Sequence, residues 1–411
     1  MTRRVFFNFP FRLGLNGIGN TGWQQANALV ELGHDVVIAT PSCERRVPGA
    51  QTVETLTIAG MRVPLGRFGV ERMLRAHGAR AASVFRKLHG DALFDVVHCW
   101  PRGSMKLIDA ARDAGVPTFY ERPNTHVVHG FEVVHRENVR LGLADGPPPA
   151  TDDRQRREVA EYDASDFLLC PSEAVADSFR DRGYADDRLI RTRYGCDLET
   201  FLVDPDQMKE RPERPLTMLF AGKADARKGL HFALDAWHRT ADARHGTGTF
   251  RVAGAIDDEY AAKLGPALSH DGVECIGFTN DVASEMRRAD VFVLPSIEEG
   301  SALVTYEARA SGCVVVASTA AGAPVEHDVD GLLHEPGDVD TLADQIAALS
   351  TDGDLLRRLR CRSMERASDL SWLAAGRSLA AGYEDGLRRR MPGIAEPETT
   401  PAGEPLPSLA T

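Results

Sequence analysis

The feature that most constrains the fold is the stretch Asp290–Ser318, written DVFVLPSIEEGSALVTYEARASGCVVVAS. A short apolar run at 291–294 predicts a buried strand, and the Pro-Ser pair after it ends that strand. A helix is expected over 302–311, because Gly312 supplies a C-terminal stop, and a second buried strand starts at 314–316. This order of strand, loop, helix and strand predicts an α/β unit.

Two carboxylates frame this unit. Glu299 lies in the loop before the helix, and Glu307 lies on the helix itself. The first backbone N–H groups of the helix, near Ala302, Leu303 and Val304, are expected to point into a crevice, where a helix start can bind phosphate or another anion. N–H donors between two carboxylates suit a ligand with a phosphate at its centre and hydroxyls at both ends. A nucleotide-sugar has that form.

The order of these residues resembles glycosyltransferase family 4. The resemblance is carried by the E-x7-E spacing of Glu299 and Glu307, followed by Gly312 and an apolar strand. Members of the family are retaining enzymes of the GT-B fold. The resemblance therefore implies an α/β chain with two Rossmann-like parallel-sheet domains that face a central cleft. The family usually has a Phe-Gly pair where this chain has Ser301-Ala302, and that departure falls on the sugar-facing loop.

Composition is that of an ordinary globular protein. The chain has 411 residues, enough for two or three domains, with 43% apolar and 26% charged residues. The net charge of −12 gives no support to a nucleic-acid partner. No apolar run approaches the roughly 18 residues of a membrane span. The N-terminal segment MTRRVFFNFPF is interpreted as a first strand and not as a signal peptide.

Disulfide and metal chemistry have little support. The seven cysteines are scattered and form no C-x-x-C pair, which favours a reducing cytoplasm. D-x-D holds a divalent cation in another class of glycosyltransferase. It occurs here at 204–206, 328–330 and 338–340, always in the expected hinge or in turns. We therefore predict no metal site.

A glycine-rich loop follows the first predicted strand. Gly17-x-Gly19-x-x-Gly22 matches the dinucleotide fingerprint and lies between a strand from Arg4 and a helix over 24–32. However, the strand ends well before the loop, and no acidic residue closes the next strand. The resemblance to family 4 offers the preferred alternative, in which Gly17 and Gly19 face the donor and the acceptor across the cleft.

A basic amphipathic helix is predicted over 71–89. Such a helix can lie on an anionic membrane surface, and some members of family 4 use a comparable helix to reach lipid-linked acceptors. The simpler interpretation, which we prefer, is a solvated helix face.

A histidine after the predicted strand at 115–120 is the next candidate. In family 4 a histidine at this place contacts the donor sugar, and His126 is the best match, with His129 as a substitute. Open α/β sheets bind ligands at strand ends, so the position agrees with that role. A structural loop histidine is the alternative. The stretch from there to Asp153 is expected to be an irregular loop on the acceptor side.

A second unit of this type begins the other half of the chain. Its strand at 216–220 leads to Gly222 and Lys223, and Lys228 follows five residues later. In family 4 a cation after the glycine and a lysine at that spacing bind the donor diphosphate. Arginine is commoner at the first position, and lysine keeps its charge but loses its two-pronged grip. Two solvated surface lysines are the alternative.

The predicted division of the chain follows from these units. An acceptor-side Rossmann-like domain is expected at 1–205, a hinge at 206–215 and a nucleotide-sugar-binding Rossmann-like domain at 216–371. A helix at 372–390 is expected to cross back to the first domain. The segment 391–411, rich in Pro, Glu and Thr, is expected to be a disordered tail.

The resemblance also implies a reaction. It is transfer of a sugar with retention, without a metal or cofactor, from a nucleoside diphosphate sugar in which UDP is expected in preference to GDP. Lys223 and Lys228 would stabilise the leaving diphosphate. Glu307 would accept hydrogen bonds from ribose and Glu299 from the sugar. His126 would position that sugar once the domains close.

The sequence does not identify the acceptor. The resemblance implies a polysaccharide, lipid-linked or small-molecule acceptor, in cell-envelope or exopolysaccharide synthesis, in the cytoplasm or at the inner face of the membrane. One alternative is a catalytically silent subunit that holds a nucleotide-sugar, and turnover separates it from an enzyme. Another is a phosphorylase or epimerase on the same fold, which would form a sugar phosphate or an epimer.

Overall fold

The computed structural model describes residues 2–58, 61–62, 69–204, 214–240 and 248–390. Most of the predicted hinge at 206–215, and all of the predicted tail at 391–411, lie outside the described residues. Within these ranges the strands are β1 Arg4–Asn8, β2 Asp35–Thr40, β3 Gln51–Glu54, β4 Thr57–Ile58, β5 Met61–Arg62, β6 Val96–Cys99, β7 Thr118–Glu121, β8 Phe167–Cys170, β9 Leu189–Arg191, β10 Thr217–Ala221, β11 Thr249–Ala253, β12 Val273–Gly277, β13 Val291–Leu294, β14 Val314–Ser318 and β15 Leu332–His334. The helices are α1 Ile18–Glu31, α2 Val70–Asp91, α3 Met105–Asp113, α4 Val127–Arg140, α5 Asp153–Ala164, α6 Glu173–Arg180, α7 Leu198–Phe201, α8 Leu230–His238, α9 Asp258–Leu264, α10 Val282–Arg288, α11 Leu303–Ala310, α12 Val339–Thr351, α13 Gly353–Glu365 and α14 Trp372–Arg390.

The N-terminal domain is built on a seven-stranded parallel sheet of order β3-β2-β1-β6-β7-β8-β9. Side chains alternate across β1, so that Phe6 enters one apolar core and Phe7 enters the other. Because both faces of the sheet are covered, its strands are near-continuous apolar runs in the sequence.

The C-terminal domain repeats this plan with a six-stranded parallel sheet of order β12-β11-β10-β13-β14-β15. The direction of strand addition reverses between β10 and β13 here, and between β1 and β6 in the first sheet. Open parallel sheets bind ligands at this switch point, beyond the carboxyl ends of the strands. The loops after these four strands are therefore the expected positions of a site.

Helix α14 packs against the N-terminal domain. Gly376 lies so close to α1 that a methyl group there would be 2.6 Å from the Ala28 Cβ. Tyr383 is buried in the core of the first sheet, where its hydroxyl lies 2.7 Å from the His98 Nδ1. Residues after the second domain thus complete the core of the first.

The segment 127–140 after His126 forms α4, so the prediction of an irregular loop is wrong there, whereas 141–152 has no helix or strand, as predicted. The His126 ring caps this helix by accepting from the Val128 N–H at 3.3 Å. No residue of α4 is fully buried, although Val127, Phe131 and Val134 recur in the sequence at the spacing of one helix face. The second domain holds it instead, since the Glu137 Oε1 lies 2.8 Å from the His231 Nε2.

Helix α2 contains the basic segment. Its apolar stripe, which includes Met73, Ala81 and Phe85, is buried inside the N-terminal domain, and so it is occupied by protein. Arg72 and Lys87 remain exposed, and an electrostatic contact with an anionic surface stays a prediction. Within the described ranges, every helix falls short of the length or apolar character that crossing a bilayer requires.

Candidate active site

The loops after β10 and β13 meet at the carboxyl edge of the C-terminal sheet. The helical turn at 226–228 ends at Gly229, which is left-handed with φ 70°. A methyl group at Gly229 would lie 2.1 Å from the Pro295 carbonyl oxygen, so only glycine allows this approach. The Ile297 N–H donates to the Arg227 carbonyl oxygen at 2.9 Å and joins the two loops.

Lys228 and Glu299 form an ion pair at this junction. Arg227 joins them, with its guanidinium nitrogen 2.9 Å from the same Glu299 oxygen. Buried charges need partners, and here the carboxylate pairs with Lys228, one of the two lysines that the family resemblance relates to a diphosphate. The structure thus brings Lys228 and Glu299 together, and it adds Arg227. Sequence reasoning missed Arg227, although its position next to Lys228 was a signal.

Helix α11 starts close to this cluster. The prediction that the Ala302 N–H binds the ligand is wrong. This N–H donates to the Ala321 carbonyl oxygen at 3.1 Å and is not available. No side chain caps the helix. The N–H groups of Leu303 and Val304 come too early in the helix to have intrahelical acceptors. They are the donors that this end offers to an anion.

Glu307 lies on α11, with the buried Cys196 as an electrostatic neighbour. Within the described part of the chain its carboxylate makes no hydrogen bond or ion pair, and burial raises the pKa of Glu307 to about 7. Glu307 is half-buried, and a carboxyl group that loses part of its hydration without gaining a partner is less favourable in its charged form. The two glutamates of the motif therefore differ, since Glu299 is paired and Glu307 is not.

Gly222 and Lys223 directly follow β10. Gly222 has a φ of 140°, and its carbonyl oxygen would be 2.1 Å from a methyl group at Gly254, after the neighbouring strand. The Lys223 side chain is exposed and forms no ion pair with another described residue. Lys223 thus lies at the same sheet edge as Lys228 but outside the ion-pair cluster, and the predicted roles of Gly222 and Lys223 stay predictions.

His126 follows β7, but its ring is packed inside the N-terminal domain. The residue is 4% exposed. Burial, with a smaller effect of Arg122, lowers the pKa of His126 to about 4, so the ring is neutral at pH 7. This environment matches the structural alternative, and contact with a sugar stays a prediction. His129 is less buried. The ring of His126 is surrounded by Tyr162, Phe179 and Tyr184.

Gly17 belongs to the loop after β1, and Gly19 lies in the first turn of α1. Gly17 caps α1 with a φ of 78°. A methyl group at Gly19 would lie 2.5 Å from the Arg12 carbonyl oxygen. Both glycines meet steric needs where the loop enters the helix, and their predicted contact with a ligand stays a prediction.

The loop that carries Glu299 also touches the N-terminal domain. The Glu298 carboxylate accepts from the Thr125 hydroxyl at 2.6 Å and from the Thr125 N–H at 3.3 Å. Gly300 lies against the same segment, where a methyl group would be 1.6 Å from the Pro123 carbonyl oxygen. These contacts fix Glu299 relative to the first domain. Sequence reasoning missed them, because Thr125 and Glu298 are 173 positions apart and no local pattern relates them.

Ser301, the departure from the family pattern, has a structural role. Its hydroxyl lies 2.9 Å from the Tyr306 hydroxyl and 2.9 Å from the Gly322 carbonyl oxygen. The Tyr194 N–H donates to the Tyr306 hydroxyl at 3.4 Å, and the Tyr194 hydroxyl donates to Glu121 at 2.7 Å. A buried polar chain thus connects this loop with the N-terminal core, and phenylalanine at position 301 could not form it.

Within the described residues, no three His, Cys, Asp or Glu side chains group together as metal ligands would. The D-x-D pairs have other partners where they are described. Asp330 pairs with Arg309 at 2.6 Å, and Asp338 caps α12 by accepting from the Thr341 N–H at 3.0 Å. The pair at 204–206 is only partly described.

Two family profiles match consecutive parts of the chain. The profile described as Glycosyltransferase Family 4 matches residues 15–200, and the profile described as Glycosyl transferases group 1 matches residues 215–352. Each profile covers most of one of the two sheets.

Named relatives and a solved structure extend this likeness. D-inositol 3-phosphate glycosyltransferase 1 of Catenulispora acidiphila is 30% identical over 317 residues, which are 72% of this chain and 73% of that protein. D-inositol 3-phosphate glycosyltransferase of Corynebacterium kroppenstedtii is 28% identical over 293 residues, which are 65% of this chain but only 63% of that protein. Anabaena HepE, solved in complex with UDP-glucose, matches with a TM-score of 0.60 at 17% identity over 93% of this chain and 99% of that one. At that identity the likeness shows the fold alone.

Proposed function

Because the chain belongs to glycosyltransferase family 4 and has the predicted GT-B fold, we propose that it transfers a sugar from a nucleoside diphosphate sugar to an acceptor bound by its N-terminal domain. One observation carries the proposal: Lys228, Arg227 and Glu299 form a cluster beside the uncapped start of α11. Retention of configuration and independence of a metal ion are parts of the proposal, which the family resemblance supports.

The leaving group in such a transfer is a nucleoside diphosphate, whose negative charge grows as its bond to the sugar breaks. Two cations and the N–H groups of Leu303 and Val304 lie at one edge of the sheet, oriented before the reaction begins. Groups that are oriented in advance toward a developing charge are usually the largest contribution to a rate. Lys223, exposed at the end of β10, would add a third cation at the same edge.

Glu299 and a diphosphate would compete for the same cations. In the structure the carboxylate forms ion pairs with both Lys228 and Arg227. A diphosphate bound to Lys228 would release Glu299, whose oxygens would then accept hydrogen bonds from the sugar. Ribose hydroxyls would give the Glu307 carboxylate the partners that it lacks. Donor binding would thus replace an internal ion pair with contacts to the ligand.

UDP is the proposed nucleotide, which the UDP-glucose complex of a protein with the same fold supports. The names of the relatives support a phosphorylated small molecule as one acceptor class. Polysaccharide and lipid-linked acceptors, a cytoplasmic location and a peripheral membrane contact through α2 remain parts of the proposal. The silent-subunit alternative depends on Ser301-Ala302, and the structural role of the Ser301 hydroxyl weakens it.

Substitution of Lys228 tests the proposal. A thermal-shift screen with UDP-, GDP- and ADP-sugars first identifies the donor, and release of the nucleotide, with and without candidate acceptors, then measures turnover. We expect Lys228→Ala to lower turnover by about a hundredfold or more, as loss of one oriented group does in such sites. Lys87→Ala removes an exposed lysine of α2 and should leave turnover unchanged.

Two results would contradict the proposal. If Lys228→Ala and Glu307→Ala both left nucleotide release unaffected, these residues would not form the site. Tight donor binding without any nucleotide release, across the whole acceptor panel, would favour the silent subunit.

A further inference from the structure

The switch point of the N-terminal sheet contains an apolar groove of about 440 Å³. It lies between the loops after β1 and β2 and the start of α2. Three of its side chains are unusually open for their type: Leu15 is 45% exposed, Ile18 is 42% exposed and Val70 is 56% exposed. The apolar lining includes Phe11, Leu15, Ile18, Leu56, Val70 and Met73.

The position of this groove indicates a ligand and not a packing defect. Parallel sheets of this kind bind ligands at the switch point, and a continuous apolar patch left open on a surface commonly marks a binding site. A sugar or polyol ring would bring many hydroxyls that need hydrogen-bond partners, and the groove offers mainly hydrocarbon. Its chemistry fits an alkyl or aromatic group.

A second cavity of about 260 Å³ adjoins the groove, and the two share Leu74 and Arg102. We call this second cavity the basic basin. Its inner surface is mainly apolar, and the cations among its lining residues include the exposed Arg75, Lys106 and Arg154. None of these three forms an ion pair within the described part of the chain.

The acids of the basic basin already have partners. Glu71 lies 2.7 Å from Arg102 and 3.0 Å from Arg157. Glu158 pairs with the buried Arg122 at 2.8 Å. The basic basin therefore has spare positive charge that is complementary to an anion.

Arg102 stands between the groove and the basic basin in a strained conformation. It is left-handed, with φ 71°, which is uncommon for a residue with a side chain. The buried Glu161 holds it there, because its carboxylate accepts the Arg102 N–H at 3.0 Å and the Gly103 and Ser104 N–H groups at 2.9 and 2.7 Å. Strain that is retained in this way occurs preferentially at functional sites.

We propose that the acceptor is an anionic amphiphile, whose alkyl or aromatic group fills the apolar groove while its phosphate lies in the basic basin beside Arg102. This inference rests on the proposed function, because it takes the N-terminal face of the cleft as the acceptor side. It narrows the acceptor to molecules that carry both groups on one chain.

A series of n-alkyl phosphates tests this. Butyl, hexyl and octyl phosphate, below their micelle concentrations, are titrated calorimetrically into the full chain, beside the alkanols of the same lengths. We expect affinity to rise by about fourfold per methylene group, as burial of hydrocarbon predicts. Each phosphate should bind more tightly than its alkanol.

Matched variants separate the two parts. Leu15→Ser combined with Ile18→Ser should flatten the dependence on chain length, while Leu93→Ser, at a leucine that is 74% exposed outside the groove, should not. Arg154→Gln should reduce the preference for phosphate over alkanol, whereas Arg86→Gln, on the exposed face of α2, should not.

Three outcomes would overturn the inference. One is an affinity that does not depend on chain length, and another is an equal effect of the groove and control variants. The third is a concentration-dependent dimer that dissociates when Leu15→Ser and Ile18→Ser are combined, because the groove would then be the contact with a second copy of the chain. Binding of the donor sugar, with its dependence on Lys228, is measured on the same protein. Absence of donor-sugar binding alone would contradict the proposed function. An affinity for alkyl phosphates that does not depend on chain length would alone contradict only this inference.

Discussion

At the switch point of the C-terminal sheet the loops after β10 and β13 present charge, whereas at that of the N-terminal sheet the loops after β1 and β2 present mainly apolar side chains. Both crevices arise from the same strand order, and both lie beyond the carboxyl ends of parallel strands. The fold therefore supplies the position of each crevice, and the loop residues decide its chemistry.

The two faces also differ in how they treat buried carboxylates. On the N-terminal side Glu158 and Glu161 have permanent partners, respectively Arg122 and a row of backbone N–H groups. On the C-terminal side Glu299 has partners that a ligand would take from it, and Glu307 has none among the residues that the structure describes. A buried charge thus indicates a ligand only where the protein itself does not complete its contacts.

The largest effect on turnover is expected where the two domains touch, at the contact between Gly300 and Pro123. Gly300→Ala would place a methyl group 1.6 Å from the Pro123 carbonyl oxygen, so one of the two segments must move. Because a shift of about 1 Å in a positioned group can cost a hundredfold in rate, we expect turnover to fall by about that factor.

Gly353→Ala is the matched control, since the added methyl group would meet no described atom within 4 Å apart from its own chain neighbours and helix backbone. Turnover is measured as nucleotide release, and thermal unfolding shows whether each variant is folded. Equal turnover in the two variants would show that the contact between Gly300 and Pro123 is not kept during the reaction.

A smaller effect is expected from the pH dependence of Glu307. Burial raises the pKa of Glu307 to about 7, so the group is mostly protonated below that pH. One of its two oxygens then carries a proton and no longer accepts a hydrogen bond from a ribose hydroxyl as a carboxylate oxygen would. The affinity for UDP-glucose, whose diphosphate does not titrate near pH 7, should therefore rise by up to about tenfold per pH unit below 7 and level off above it.

Glu307→Gln should remove this dependence while it keeps the shape of the side chain. The free energy of unfolding changes with pH in the opposite direction to the affinity. The folded protein binds this proton more tightly than the unfolded chain, so the free energy of unfolding falls as pH rises from the ordinary glutamate pKa toward 7. Calorimetric titration at several pH values checks the first effect. An unchanged pH profile in Glu307→Gln would assign the dependence to another group.

The strand, loop and helix unit around Glu299 could be predicted from the sequence because its signals are local. The apolar run of β13, the Pro-Ser pair and Gly312 set the element boundaries, and the structure places α11 within one residue of the predicted limits. A parallel strand that is buried on both faces is a continuous apolar run, so it can be recognised without knowing which distant residues it contacts.

The features that the sequence did not predict depend on partners that lie far away in the sequence. Helix α4 has no fully buried residue and is held across the cleft by His231. The Ala302 N–H donates to Ala321, and Glu298 binds Thr125. The sequence contains each of these residues, but the choice between an available and a satisfied group is made by tertiary packing.

The smallest effect is expected from Thr125, which joins the two faces by a hydrogen bond and not by steric contact. Thr125→Val removes the hydroxyl that donates to Glu298 at 2.6 Å, while the Thr125 N–H and Arg227, 3.5 Å from the other carboxylate oxygen, remain. Loss of one hydrogen bond to a charged group costs about 1.5–3 kcal/mol, and because two partners remain we expect kcat/KM to fall by about tenfold.

Thr125→Ser keeps the hydroxyl and should restore most of this loss. If the role of Thr125 were only structural, both variants would unfold at a lower temperature, and kcat/KM would not depend on whether the side chain has a hydroxyl group. If valine and serine gave the same kcat/KM, the charged and the apolar face would meet without this bond, and the steric contact at Gly300 alone would set their distance. If only valine lowered it, Glu298 would couple the position of the diphosphate cations to the acceptor domain, because Arg227 contacts both Glu298 and Glu299.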